Sequence, residues 1–195
     1  DEAHIWAVQH NTTTDLAGGQ TEVPLRDDQG HLVNTIRGAL FQNMQQNMVG
    51  AEHLELEYSN DGPFEINGYQ RGNEMTFYIA SRTLEDSDVS VDFSDVVGEI
   101  DTVEGVRISI DTSTSNGVHW DSKSKEYVDT LDTIIDGERW SYNEHDTRAM
   151  VTELDLDGTQ IDLRLKPFEM VQVTFTLAEI DEGAGTPPPI DEEPS

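Results

Sequence analysis

The sequence predicts a mainly β protein, an antiparallel sandwich of about eight strands preceded by a strand, a loop and one long amphipathic helix. Two patterns carry this expectation. After Gly50 the apolar residues recur with a period of two and are separated by short turns. Before Gly50, one stretch repeats its apolar residues every fourth position.

Taken in order, residues 3–10 begin as a mostly apolar strand, Ile5-Trp6-Ala7-Val8. A run without alternation points to burial on both faces. Residues 11–24 read as a loop, with Asn11-Thr12-Thr13-Thr14-Asp15 and Gly18-Gly19. Residues 31–49 read as the helix, its stripe formed by Leu32, Ile36, Leu40, Met44 and Met48 with Val33, Phe41 and Val49 beside them. Asp27 and Asp28 suit its positive end, and Gly50 suits a left-handed cap.

The strands follow. Leu54, Leu56 and Tyr58 alternate with Glu55 and Glu57, and Met75 to Ser81 is more continuously apolar. Val89, Val91 and Phe93 alternate, as do Val106, Ile108 and Ile110. Val151, Leu154 and Leu156 lead into Asp157-Gly158, and Ile161, Leu163 and Leu165 leave it, which reads as a hairpin. Met170 to Leu177 is a last strand. The pattern is weak across 115–148, and 181–195 reads as an acidic, Pro/Gly-rich linker or tail. The implied division is 1–50 for strand, loop and helix, 51–180 for the sandwich, and 181–195 for the tail.

Charge is the second theme. Forty Asp and Glu face 11 Lys and Arg among 195 residues, a formal net charge of −29. At low ionic strength that much like charge loosens a compact state. At about 1 M salt the Debye length falls to ~3 Å and the repulsion is screened. The sequence therefore reads as a protein adapted to concentrated salt. Its acids are interleaved with regular apolar positions, which argues against disorder.

The same composition excludes classes of partner. No cluster of Lys and Arg is present to hold nucleic acid or an anionic membrane. No apolar run approaches the ~20 residues of a membrane-spanning helix, and no signal peptide is visible. The chain begins at Asp1, so it reads as processed or as part of a longer protein. Without Cys there is neither disulfide nor thiol chemistry.

Motifs for catalysis are missing: no Gly-x-Ser-x-Gly elbow, no phosphate-cradling Gly-rich loop, no His-Glu-x-x-His pair. Asp155-x-Asp157-Gly158 starts like a calcium loop, but the position of the bidentate Glu is Arg164. Glu85, Asp86 and Asp88 remain weak candidates for loosely bound calcium, against the simpler reading of a solvated turn. No other cofactor is expected. Asn11-Thr12-Thr13 fits a glycosylation acceptor and thus an exported protein. Trp120 and Trp140 lie in polar context and could stack on sugars, or pack beneath a long loop.

One arrangement resembles a known family. A strand carrying Trp6, then a polar loop, the helix, and an antiparallel sandwich resemble the end of a glycoside hydrolase with a (β/α)8 barrel and a C-terminal β-sandwich, as in arabinofuranosidase- and xylosidase-like enzymes. Ile5-Trp6-Ala7-Val8-Gln9-His10-Asn11 resembles the eighth barrel strand and its loop, and Leu32 to Val49 the eighth helix. Met75 to Asp86, with Ser81-Arg82 before an acidic turn, and Lys166-Pro167-Phe168-Glu169-Met170 leading into Val171 to Phe175 resemble sandwich strands of that family. The resemblance implies that Trp6, His10 and Asn11 line the rim of a barrel site. It places the catalytic carboxylates on earlier strands that this chain lacks. The expected function is therefore a non-catalytic accessory region of a salt-adapted extracellular carbohydrate-active protein, with carbohydrate or another protein chain as partner. The alternative is a structural or assembly subunit at a cell or virion surface: capsid, surface layer or filament.

Overall fold

The computed structural model describes residues 24–26, 29, 31–57, 62–114, 118–121, 124–129, 133–135, 138–140 and 148–178. The expected strand at 3–10 and the tail at 181–195 lie outside them. Among the described residues the chain is mainly β, with antiparallel sheets and two helices.

Strands β1 (Pro24–Arg26) and β2 (Leu32–Asn34) pair, and helix α1 follows at Ile36–Asn47. The helix is shorter than the expected 31–49, because Leu32 and Val33 belong to β2. Its start is set by Thr35, whose extended backbone and Oγ1, accepting from the Gly38 N–H at 3.1 Å, form the N-cap. Its first turn carries no acid, and Asp27 and Asp28 lie outside the described residues. Beyond the C-cap Met48, Gly50 adopts φ +78°, the left-handed turn expected there.

The main sheet has six strands: β3 (Glu52–Leu54), β4 (Phe64–Arg71), β5 (Glu74–Ser81), β7 (Ile100–Asp111), β12 (Arg148–Leu154) and β14 (Met170–Leu177). Their order is β12-β7-β14-β5-β4-β3, antiparallel throughout. A second sheet pairs β6 (Ser87–Asp92) with β13 (Gln160–Leu165), and a short helix α2 (Ser94–Val97) follows β6. Two further hairpins join β8 (Val118–Asp121) to β9 (Glu126–Asp129), and β10 (Thr133–Ile135) to β11 (Glu138–Trp140).

Strand β4 escapes the period-two reading because Gly68 interrupts its apolar row. The reason is spatial. A Cβ on Gly68 would lie 2.9 Å from Cε1 of Phe77, so that ring occupies the side-chain position. β4 and β5 are joined by a two-residue loop in which Gly72 has φ +62°.

The hairpin expected at Asp157-Gly158 is not one. β12 pairs with β7 and β13 with β6, so this turn carries the chain from the large sheet to the small one. Gly158 does take φ +67°. The local turn chemistry is as expected, but strand pairing is decided elsewhere. Ile161, Leu163 and Leu165 of β13 are buried while the residues between them are exposed, which places the strand over the core.

That core lies between the two sheets. Phe77, Ile79, Val171, Val173, Phe175 and Leu165 are wholly buried there. The rings of Phe77, Phe93 and Phe175 sit with centroids 4.5–5.9 Å apart, within the range of favourable aromatic pairs. The opposite face of the large sheet carries α1, whose Ala39 is buried against Tyr78, Ile108 and Met170 of the sheet.

The return from β13 to β14 runs through Lys166–Glu169. Pro167 is fully buried and Phe168 holds a left-handed φ of 61°. Glu169, 3% exposed, anchors the turn: its Oε2 accepts from Arg107 Nη1 at 2.7 Å and from the Lys166 N–H at 2.9 Å. A buried carboxylate must be paired in this way to be tolerated.

Candidate functional site

The large sheet is six strands wide and the small one two, so the sandwich is unevenly covered. Beside its β3–β4 flank it opens into a cleft of about 440 Å³. That size falls in the usual range of small-molecule sites, roughly 300–1,000 Å³.

The floor is apolar. Ile66 of β4, Met75 of β5 and Phe93 are buried, and Leu54, Leu56 and Val91 are half-buried around them. Phe93 is fixed by its N–H donating to the Thr159 carbonyl at 3.0 Å and by the rings of Phe77 and Phe175. The rim carries four exposed carboxylates, Glu55, Glu57, Asp92 and Asp95. Glu55 and Glu57 lie on the segment leaving β3, where alternation puts Leu54 and Leu56 inward and the acids outward.

Asp92 ends β6 and turns the chain into α2. Its Oδ1 accepts from the Ser94 N–H at 2.9 Å, and this backbone hydrogen bond lowers the carboxyl pKa below its usual value. Asp92 is thus an ionised acceptor. The cleft combines an apolar floor with hydrogen-bond acceptors on an exposed rim. Such a surface can hold the apolar face of a sugar ring while accepting from its hydroxyls.

The residues singled out from sequence fall elsewhere. Trp6, His10 and Asn11 lie outside the described residues. Trp120 is in β8 opposite Tyr127, and Trp140 in β11 opposite Thr133, on two separate hairpins. Asp86 and Asp88 both face Arg164, with Asp86 Oδ2 to Nη2 at 3.2 Å and Asp88 Oδ1 to Nη1 at 3.5 Å. The Glu85 carbonyl accepts from the hydroxyls of Thr83 and Ser87. Among the described residues no three His, Asp or Glu stand close enough to hold a metal ion. No helix among them is long and apolar enough to cross a membrane. The cleft residues were individually visible in the alternation of 54–57 and 89–93, but their meeting depends on which strands overhang the small sheet.

Fold and cleft define an antiparallel β-sandwich with one helix on its outer face and an open, acid-rimmed flank. No family model matches the chain, and no curated protein sequence matches it. Among solved structures it is similar to a GH86 protein in complex with neoagarooctaose, at 10% identity and a TM-score of 0.47, over 80% of this chain and 20% of that one. It is also similar to the arabinose-bound MgGH51 α-L-arabinofuranosidase, at 9% identity and a TM-score of 0.42, over 80% of this chain and 21% of that one. A GH30 endoxylanase from Clostridium papyrosolvens gives 6% identity and a TM-score of 0.42, over 73% of this chain and 28% of that one. These neighbours are glycoside hydrolases, and the chain spans between 20% and 28% of their length.

Proposed function

We propose that this chain is the non-catalytic β-sandwich region of a salt-adapted, extracellular carbohydrate-active protein, and that its cleft holds a segment of polysaccharide. The observation that carries the reading is the cleft itself, with its apolar floor around Phe93 and its rim of Glu55, Glu57, Asp92 and Asp95. All four acids are exposed to water. A glycosidase acid needs the burial that keeps it protonated near neutral pH, so these groups suit binding rather than proton transfer. The sequence resemblance to arabinofuranosidase- and xylosidase-like enzymes directs the choice of sugars.

The test is calorimetric titration of the chain with xylo- and arabino-oligosaccharides in about 3 M KCl, where surface charge is screened. The expected result is saturable binding, weakened at least about tenfold by Glu57→Ala or Asp95→Ala, with no hydrolysis of the same sugars. The thermal midpoint should fall as KCl is reduced to about 0.1 M. Failure of every oligosaccharide to bind would refute the carbohydrate role, and a midpoint that rose on dilution would refute the salt adaptation.

The alternative, an assembly subunit of a cell or virion surface, is favoured by a separate observation: the outer face of α1 exposes Phe41 and Met44 and carries no acid.

A further inference from the structure

In this chain acids mark the surface. Among the described residues whose exposure is defined, every Asp and Glu is exposed except Glu74, Asp111 and Glu169. Yet the sequence contains no acid from Gln29 to Ala51, between Asp28 and Glu52, although acids number 40 in 195 residues. That stretch contains α1. Its inner face meets the sheet through Ile36, Leu40 and the C-cap Met48, with Gly38 and Ala39 buried and Asn43 and Asn47 half-buried. Its outer face leaves Phe41 and Met44 39% exposed and Val49 62% exposed, with Gln42, Gln45 and Gln46 beside them.

Two of the larger apolar side chains on this helix, Phe41 and Met44, thus point partly to water, on ground free of the acids found elsewhere. Exposed apolar surface of this kind marks a contact. Electrostatics selects the occupant. A basic partner would be met by carboxylates, which this face lacks. An acidic body can approach only where neither side presents carboxylates. A second copy of the chain supplies such a face by construction, with Phe41, Met44 and Val49 set among neutral glutamines.

We propose that two copies of this chain pair through the outer faces of their α1 helices, related by a two-fold axis. Such an interface is self-complementary. It places apolar side chains and amides at the contact and keeps the acidic surfaces of the two sandwiches apart. The pairing rests on α1 alone and is independent of whether the cleft takes a sugar.

The test uses the full chain in about 3 M KCl, where repulsion between the two bodies is screened. Light scattering coupled to size exclusion should give twice the mass of one chain. Val49→Glu and Phe41→Glu, which bury unpaired charge in the contact, should raise the dimer dissociation constant at least about a hundredfold. Leu84→Glu, at an exposed position of the turn between β5 and β6, should leave it unchanged. Circular dichroism checks that each variant is folded. Because the chain has no Cys, Gln45→Cys reports contact directly: mild oxidation should link two copies through that single thiol. A chain that stays monomeric up to about 1 mM, or a dimer that survives both glutamates and resists cross-linking at residue 45, would overturn the proposal.

Discussion

On the side of the large sheet that meets the small one, Phe77, Ile79, Val171, Val173 and Phe175 form a wholly buried apolar layer. Of the residues alternating with them on the same two strands, Thr76, Tyr78, Gln172 and Thr174 are polar or carry a polar tip, and Ala80 and Met170 are apolar; this face meets α1. The first layer closes by packing alone. The second adds hydrogen bonds to a smaller apolar cluster of Ala39, Tyr78, Ile108 and Met170. Thr76 and Thr174 share one at 3.2 Å, Gln172 Nε2 donates to Thr174 Oγ1 at 2.9 Å, and Asn47 Nδ2 donates to Gln172 Oε1 at 3.2 Å. Some of its polar atoms are left over: Asn43 Oδ1 and the Tyr78 hydroxyl are buried with no hydrogen-bond partner among the described residues. Strand alternation makes both faces available, but the sandwich core is closed by apolar side chains, whereas the helix side mixes apolar contacts with hydrogen bonds.

The largest expected effect tests the apolar face. Phe175→Ala removes a ring wholly enclosed by Phe77, Phe93 and their neighbours, and should lower unfolding free energy by about 3–5 kcal/mol in denaturant melts at high salt. A loss below about 1 kcal/mol would mean that the sandwich does not dominate stability.

The helix face should respond less. Leu40 is half-buried against the sheet, so Leu40→Ala should reduce stability by about 2 kcal/mol. Met44 faces outward, and Met44→Ala, measured at dilutions where copies do not pair, should stay within about 0.5 kcal/mol. Equal losses at the two positions would place the helix in a different rotation on the sheet.

The smallest effect at neutral pH concerns Tyr78. Its hydroxyl is buried and unpartnered, so Tyr78→Phe should be neutral or slightly stabilising. Alkaline pH separates the two proteins. Burial, with a further contribution from nearby Tyr69, raises the Tyr78 pKa from 10.0 to about 12. The folded chain thus holds this proton more tightly than the unfolded one. The stability it contributes is complete below pH about 10 and is lost as pH rises toward about 12. Melts across that interval should show a decline of up to about 2 kcal/mol in the parent that Tyr78→Phe lacks. Parallel declines in both would show that ionisation elsewhere is responsible.

Much of the architecture was legible in residues. Alternation marks β6, β7 and β13 because each has a dry face, a more continuous apolar run marks β5, which is buried on both faces, and Gly50 marks the end of the helix. Other features were hidden for identifiable reasons. Gly68 obscures β4, since the space its side chain would fill belongs to Phe77. Thr35 starts the helix one turn later than the apolar spacing implies, because its capping hydrogen bond outweighs the pattern of Leu32 and Val33. The spacing also put Met44 at the centre of the buried stripe. In the structure Ile36, Leu40 and Met48 of that stripe do pack against the sheet, with Ala39 buried between them, while Met44 faces outward.

By itself the sequence determined the balance of charge, the mainly β class and the inward-facing positions of most strands, because these follow from composition and from alternation along a single segment. Only the tertiary structure decided that Asp157-Gly158 passes between sheets rather than closing a hairpin. It also decided that Leu54, Met75 and Phe93 meet in one cleft, and that α1 leaves Phe41 and Val49 in water. Each of these depends on contacts between segments distant in the chain, and local periodicity carries no information about which faces will meet.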